Sequence, residues 1–343
     1  MLGRGVWTLV VVVALAVAGC GRGEPRLIGP AGQGSPGLGA DPSAEASASS
    51  TSVPEPGPSA TGSCDGLPAN NIWRADVSKL PVHKSSAAYV ASIGAAATMH
   101  PDFGSGLWEG APIGIPVTVV KPDQAKVKVT FQYGRESDPG PYPIPAGVAI
   151  EGGSDRHIIL HDPVGCKVYE LFAAQKGGDG GWRAGSGAVF DLRSNRLRPA
   201  GWTSADAAGL SIFAGLTTYT EKEINHALRI TAARTQNSYL WPARHAASSS
   251  SDAALPPMGL RLRLRAGADT SRMPAQARRI ADAMKKYGVI LADNGSPWYL
   301  SGAPDPRWSN DALRALKSLR GSDFEAVDTS GLMVNKDSGE CRH

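Results

Sequence analysis

From position 64 onward, apolar and polar residues alternate over short stretches, the period-two pattern of strands that bury one face. Residues 126–133 place Val127, Val129, Phe131 and Tyr133 on one face, and with 115–121 they read as a neighbouring pair of strands. The same pattern predicts strands over 156–161, 167–174, 188–192, 224–231, 259–264 and 289–292. Apolar positions spaced by three and four predict helices over 85–96, 204–209, 274–287 and 309–319. The last opens on Ser309 as an N-cap and has Gly321 beyond its end. Helices do not alternate regularly with strands, which argues against a doubly wound parallel sheet. The predicted fold is α+β and β-rich, a β-sandwich or jelly-roll-like core with peripheral helices.

The amino-terminal pattern is different. Arg4 precedes an apolar run over 6–17, and the segment closes on Val17-Ala18-Gly19-Cys20. This is the three-part build of an export signal, and the run is shorter than the roughly 20 residues of a spanning helix. The closing residues resemble a bacterial lipoprotein lipobox, which implies that 1–19 is a signal peptide and that Cys20 is the acylated first residue of the mature chain. Acyl chains anchor a protein to the membrane surface without crossing it. Residues 21–63 contain 9 Gly, 7 Pro, 8 Ser and 6 Ala and no aromatic residue, so 20–63 reads as a lipidated cysteine followed by a tether without a core. The remainder, 64–343, reads as a single globular domain on the outer face of the membrane.

Composition adds little to this picture. Lys and Arg number 35 against 31 Asp and Glu, with no long basic run, so a nucleic-acid partner is not expected. Three cysteines fall in the exported domain, where disulfides can form. Because domain termini often lie close together, a Cys64–Cys341 bridge is expected, with Cys166 a buried thiol. Pairing of Cys166 with either end is the alternative.

Several segments resemble, as a set, a family of exported bacterial proteins. They include Asn71-Ile72-Trp73, His100-Pro101-Asp102-Phe103-Gly104, the run from Glu136 to Pro145, Gly201-Trp202-Thr203-Ser204-Ala205-Asp206, Leu291-Ala292-Asp293-Asn294-Gly295 and Ser301-Gly302-Ala303-Pro304-Asp305. The resemblance implies one unit over most of the domain. It implies no mechanism.

The chain has no G-x-S-x-G elbow, no H-E-x-x-H, no Walker-type loop and no dinucleotide fingerprint. The densest chemical stretch is Glu151-Gly152-Gly153-Ser154-Asp155-Arg156-His157. On a strand, Asp155, His157 and His161 share a face with Ile159, and a carboxylate two residues before an imidazole can orient it as a general base. His157 with His161 as metal ligands is a minor alternative that needs further ligands. Glycoside hydrolysis commonly requires two carboxylates across a cleft. Glu151 with Asp191 is the leading pair and Asp138 and Asp155 are reserves, whereas Asp206, near a predicted helix start, is expected at the substrate-binding surface, with a role in favouring only the helix dipole as the alternative. Trp202, Trp241 and Trp298, with Arg244 and His245, are expected at a sugar-binding surface.

The sequence thus leads to a surface-anchored, monomeric glycoside hydrolase acting on an envelope or environmental polysaccharide or cell-wall glycan. A non-catalytic glycan-binding or envelope-structural lipoprotein is the alternative. Neither a cofactor nor a metal is expected.

Overall fold

The computed structural model describes Cys64 and residues 66–342. The expected signal peptide, lipidation site at Cys20 and tether lie outside the described residues. The described residues fall within one compact unit. Among the described residues no helix is long and apolar enough to cross a membrane.

The fold is α+β, strand-rich and sandwich-like, with few helices. A six-stranded mixed sheet runs in the order His100–Asp102, Tyr299–Ser301, Leu228–Ala232, Val289–Asn294, Arg261–Leu264, Phe324–Ala326. A four-stranded sheet runs Ser186–Asp191, Lys167–Phe172, Ile158–Asp162, Val117–Val119. Seven of the eight predicted strands therefore fall on strands of these two sheets, and their short apolar runs explain why. Ile158 and Leu160 face one apolar cluster while Ile159 faces another, so this strand is covered on both sides. The expected pairing of 115–121 with 126–133 does not occur. Val117–Val119 runs parallel to Ile158–Asp162, and Val129–Phe131 pairs with Trp182–Ala184 in a separate three-stranded sheet. Alternation sets which face a strand buries, but not which neighbour it takes.

Helices form at Ser86–Ile93, Ala275–Lys286 and Asn310–Arg314. Ser309 caps the last, its side chain accepting the Ala312 N–H. Residues 204–209 are not helical. The Ser204 hydroxyl donates to the Leu210 carbonyl, and Asp206 accepts the Ala208 N–H at 2.9 Å. Gly209 has φ +71°. Short polar side chains satisfy the backbone locally here and hold it out of a helix.

The cysteine expectation is corrected: the bridge is Cys64–Cys166, and Cys341 is a buried free thiol. The two ends of the domain do meet, but through backbone. Cys341 N–H donates to the Asn70 carbonyl at 2.9 Å, and Ile72 N–H to the Gly339 carbonyl at 2.7 Å. Cys64 lies instead against the Ile158–Asp162 strand, its carbonyl accepting from His161 Nε2 at 2.7 Å. That contact brings its sulfur to the turn that holds Cys166.

Candidate active site

Residues 203–216 run between the two large sheets as an irregular, largely buried segment. Ala205, Ile212 and Leu216 pack on Ile159 and Val168 of the four-stranded sheet, while Ala208, Leu210 and Ala214 join the core of the six-stranded one. Backbone groups in such a segment have no ladder to satisfy them. Charged side chains from the sheets and the segment itself supply partners. Glu170, in the Lys167–Phe172 strand and fully buried, accepts the N–H groups of Ile212 and Phe213 at 3.0 Å each and the Ser211 hydroxyl at 2.7 Å. Arg229, in the Leu228–Ala232 strand, donates to Ser301 Oγ at 2.8 Å.

Asp206 is the other buried carboxylate of this segment, with 2% of its surface exposed. Its Oδ1 accepts from Ala208 and Leu210 N–H at 2.9 and 3.2 Å. Its Oδ2 has no hydrogen-bond partner. Arg229 Nη2 lies 3.7 Å from Asp206 Oδ2 and 3.7 Å from Asp293 Oδ2, so one guanidinium stands between two carboxylates. Asp293 reaches this position near the end of Val289–Asn294, where the register against Leu228–Ala232 shifts between Ile230 and Thr231. Both aspartates line a half-open cleft of about 360 Å³, together with Tyr133, Glu136, Ser204 and His245.

Electrostatics separate the two aspartates. Burial raises the Asp206 carboxyl to about 8; Arg229 opposes the shift and the nearby Asp293 adds to it. At neutral pH Asp206 is therefore predominantly protonated. Since Oδ1 already accepts two N–H bonds, the proton belongs on Oδ2, the oxygen without a partner. Asp293 is also raised by burial, against the opposing fields of Arg229 and His157. Its side chain keeps 23% exposure and accepts the Asn294 N–H at 2.8 Å, so its charge is better solvated than that of Asp206.

Two histidines stand near the cleft with different freedom. His157 is buried, its Nδ1 bonded to Glu151 and its Nε2 3.0 Å from the Ala205 carbonyl. A carbonyl and a carboxylate both require N–H, so this ring is an imidazolium. Burial, the largest single influence, opposes its charge, but the hydrogen bond to Glu151 and that carboxylate's charge together raise the ring above its ordinary value. His245 donates Nδ1–H to the Ala207 carbonyl at 2.8 Å, and its Nε2 lies 3.9 Å from Glu136 Oε2.

The expected residues are thereby redistributed. Asp206 and His245 line the cleft as part of one site. Glu151 and Asp191 do not form a pair. Glu151 binds His157, just before the Ile158 end of its strand, whereas Asp191 and Asp162 both stand opposite Lys167 at the other end. Five strand residues separate the two ends, roughly 16 Å, too far for joint work at one glycosidic bond. Asp155 lies exposed in a turn and does not orient His157. His157, Ile159 and His161 do share a side of the strand, but both rings are committed to carbonyl or carboxylate partners. No cluster of three or more His, Cys, Asp or Glu that could hold a metal occurs among the described residues.

Asp138, Asp191 and Trp202 meet in a second depression of about 460 Å³. There Arg198 is bonded to Asp138 and lies 5.5 Å from the Trp202 ring centre. The other two tryptophans correct the expectation of exposed aromatic planes. Trp298 is fully buried, its indole N–H donating to the Gly94 carbonyl at 2.9 Å, and its ring stacks on Phe324. Trp241 packs against the main core and donates to the Ser338 carbonyl at 2.8 Å. Arg244 is buried and ties the carboxy-terminal segment through Asp337 at 2.7 Å.

Glu136, Glu170, Arg229 and Asp293 carried no assigned role in the sequence reading. A signal for three of them was present: Glu170, Arg229 and Asp293 each interrupt an apolar strand run, and a charge inside a doubly covered strand needs a partner. Comparison of the chain with protein-family models, curated proteins and solved structures finds no match.

Proposed function

We propose that this protein is an exported glycoside hydrolase, anchored to the membrane surface by lipid on Cys20, and that Asp206 and Asp293 are its carboxylate pair. The observation that carries the reading is the buried, unpartnered Oδ2 of Asp206 at the wall of a cleft that a second, partly exposed carboxylate also lines. Each Oδ2 is 3.7 Å from the same Arg229 nitrogen, so the two oxygens lie within twice that distance of each other. That limit is compatible with the roughly 5–10 Å separations of glycosidase carboxyl pairs.

In this reading Asp206 transfers its Oδ2 proton to the leaving glycosidic oxygen as the C–O bond breaks. Asp293 supplies the opposing carboxylate, either taking the proton of an attacking water or bonding to the sugar carbon. Arg229 holds both groups in place and stabilises the Asp206 carboxylate left after proton transfer. The rings of Tyr133 and Phe172 give the cleft apolar faces suited to sugar rings.

The test incubates the full chain with a panel of polysaccharides, following reducing ends and binding in parallel. Cleavage of at least one substrate, abolished in Asp206→Asn and Asp293→Asn with binding retained, is the expected result. Cleavage unchanged in both variants removes the site. Binding without cleavage across the panel converts the reading to the non-catalytic glycan-binding lipoprotein, which the aromatic and acidic second depression around Trp202 also suits.

A further inference from the structure

Four carbonyls of the cleft wall are each held by a side chain from outside residues 203–207. Thr203 accepts from Arg198 Nε at 2.8 Å, Ser204 from the Ser186 hydroxyl at 2.6 Å, and Ala207 from His245 Nδ1 at 2.8 Å. The fourth, Ala205, lies 3.0 Å from His157 Nε2, and all four residues line the cleft beside Asp206. The first three holds survive a change of charge near neutral pH. Arg198 stays protonated, and a serine hydroxyl does not ionise there. His245 Nε2 lies 3.9 Å from Glu136, beyond hydrogen-bond distance, so a neutral His245 ring keeps its Nδ1–H on Ala207.

His157 differs because both of its ring nitrogens face acceptors. Nδ1 bonds Glu151, and the same carboxylate accepts the His157 backbone N–H at 3.3 Å. The Glu151 backbone N–H in turn donates to the His157 carbonyl at 3.0 Å, so ring and carboxylate are locked face to face. Holding both partners takes one proton on Nε2 and a second between Nδ1 and Glu151. When the second proton leaves, one N–H serves two acceptors, and either Glu151 or the Ala205 carbonyl loses its donor. The Glu151 side chain is 19% exposed, which gives that proton a route to solvent. The charged groups around the ring are Glu151 in the turn before the strand, Arg229 of Leu228–Ala232 and Asp293 of Val289–Asn294. Asp206 follows Ala205 on the wall itself, and the Lys167–Phe172 strand presents the Phe172 ring at 5.8 Å.

We infer that His157 is a positioning residue for the cleft: the proton it shares with Glu151 keeps the Ala205 carbonyl in place, and loss of that proton loosens the wall that carries Asp206. This role belongs to the wall whatever the cleft binds, so it does not rest on the hydrolytic reading.

The test is hydrogen exchange of the full chain followed by mass spectrometry from about pH 5 to about pH 9, which brackets histidine titration, with rates corrected for their intrinsic pH dependence. Peptides covering residues 203–210 lose protection by roughly tenfold, the scale of a hydrogen bond to a charged group, as pH rises past the ordinary histidine value of 6.5. The Ala275–Lys286 helix shows no such step. His157→Gln, whose side-chain amide can donate to the Ala205 carbonyl without titrating, abolishes the step, and Glu151→Gln moves it to lower pH. The step persists in Asp206→Asn and in His245→Gln, which remove the carboxyl and the second imidazole of the wall. No step in the wild type, a step retained in His157→Gln, or one abolished in Asp206→Asn or His245→Gln overturns the inference. A step shared by the Ala275–Lys286 helix is global unfolding and overturns it as well. If His157→Gln does not fold, Glu151→Gln decides, and a step that does not move in that variant overturns the inference. Failure of the polysaccharide panel removes the hydrolytic reading and leaves this result untouched.

Discussion

Glu170 and Asp206 are both buried carboxylates that serve the same irregular segment, and burial raises both above the ordinary range. They differ in their second oxygen. Both oxygens of Glu170 are used, one by Ser211 and Phe213 and the other by Ile212, deep between the sheets. Asp206 uses Oδ1 in the same way and leaves Oδ2 without a partner at the wall of a cleft. A satisfied buried carboxylate organises backbone. One with an unpartnered oxygen is held at a cost in stability, and such a cost is tolerated where the group has chemistry to do.

The difference is broken most sharply by exchanging each carboxylate. Asp206→Asn lowers the hydrolytic rate by about 10²–10⁴-fold, the usual worth of a general acid, while thermal unfolding shows stability unchanged or raised. A large loss of stability in this variant means that Asp206 is structural like Glu170. Glu170→Ala does the reverse: it leaves the Ile212 and Phe213 N–H groups buried without a partner and destabilises by about 3 kcal/mol or more in denaturant unfolding. A mild effect there removes the structural half of the comparison.

The pH dependence of stability separates the same groups. The folded Asp206 carboxyl titrates at about 8 against an ordinary 3.8, so between those values the folded protein holds a proton that the unfolded chain has released. Stability contributed by this proton is complete at acid pH and declines as pH rises toward about 8. The melting temperature of the wild type, taken relative to Asp206→Asn, therefore falls across that window, and a flat difference contradicts it. His157 acts in the same sense. Its folded value is raised, so its contribution is present below the ordinary histidine range and is lost as pH rises through the folded value.

The Cys64–Cys166 bridge closes 102 residues of sequence, and removing it with paired serines costs about 4–5 kcal/mol by the chain-entropy account. Cys341→Ser leaves the disulfide intact. Smallest is Asp191→Asn. This residue pairs with Arg193 at a side-chain exposure of 40%, far from the cleft aspartates, and the change stays within about 0.5 kcal/mol with cleavage unaffected. Lost cleavage in Asp191→Asn restores the site expected from sequence.

The sequence made the strands legible because short, mainly apolar runs report burial directly, as in Lys167–Phe172 and Val289–Asn294, whose central or leading four residues are all buried. It did not reveal the pairing of Val117–Val119 with Ile158–Asp162, which depends on a connection of almost forty residues. Asp206 was visible as an acid in a polar turn, but its burial depends on two sheets that close over it from opposite sides. Glu151 and Asp191 looked stronger because local acidic density is readable. The distance between them is set by strand register, which is not. Arg229 and Glu170 were readable as charges within apolar strands, a signal of buried polar partners rather than of a site as such.

The most direct measurement is the infrared signal of protonated carboxyl groups, taken as the difference between wild type and Asp206→Asn while pH is raised. The account predicts a protonated carboxyl present at neutral pH, absent from the variant, and lost near pH 8. A difference signal already absent at neutral pH, with loss in the ordinary aspartate range, contradicts it.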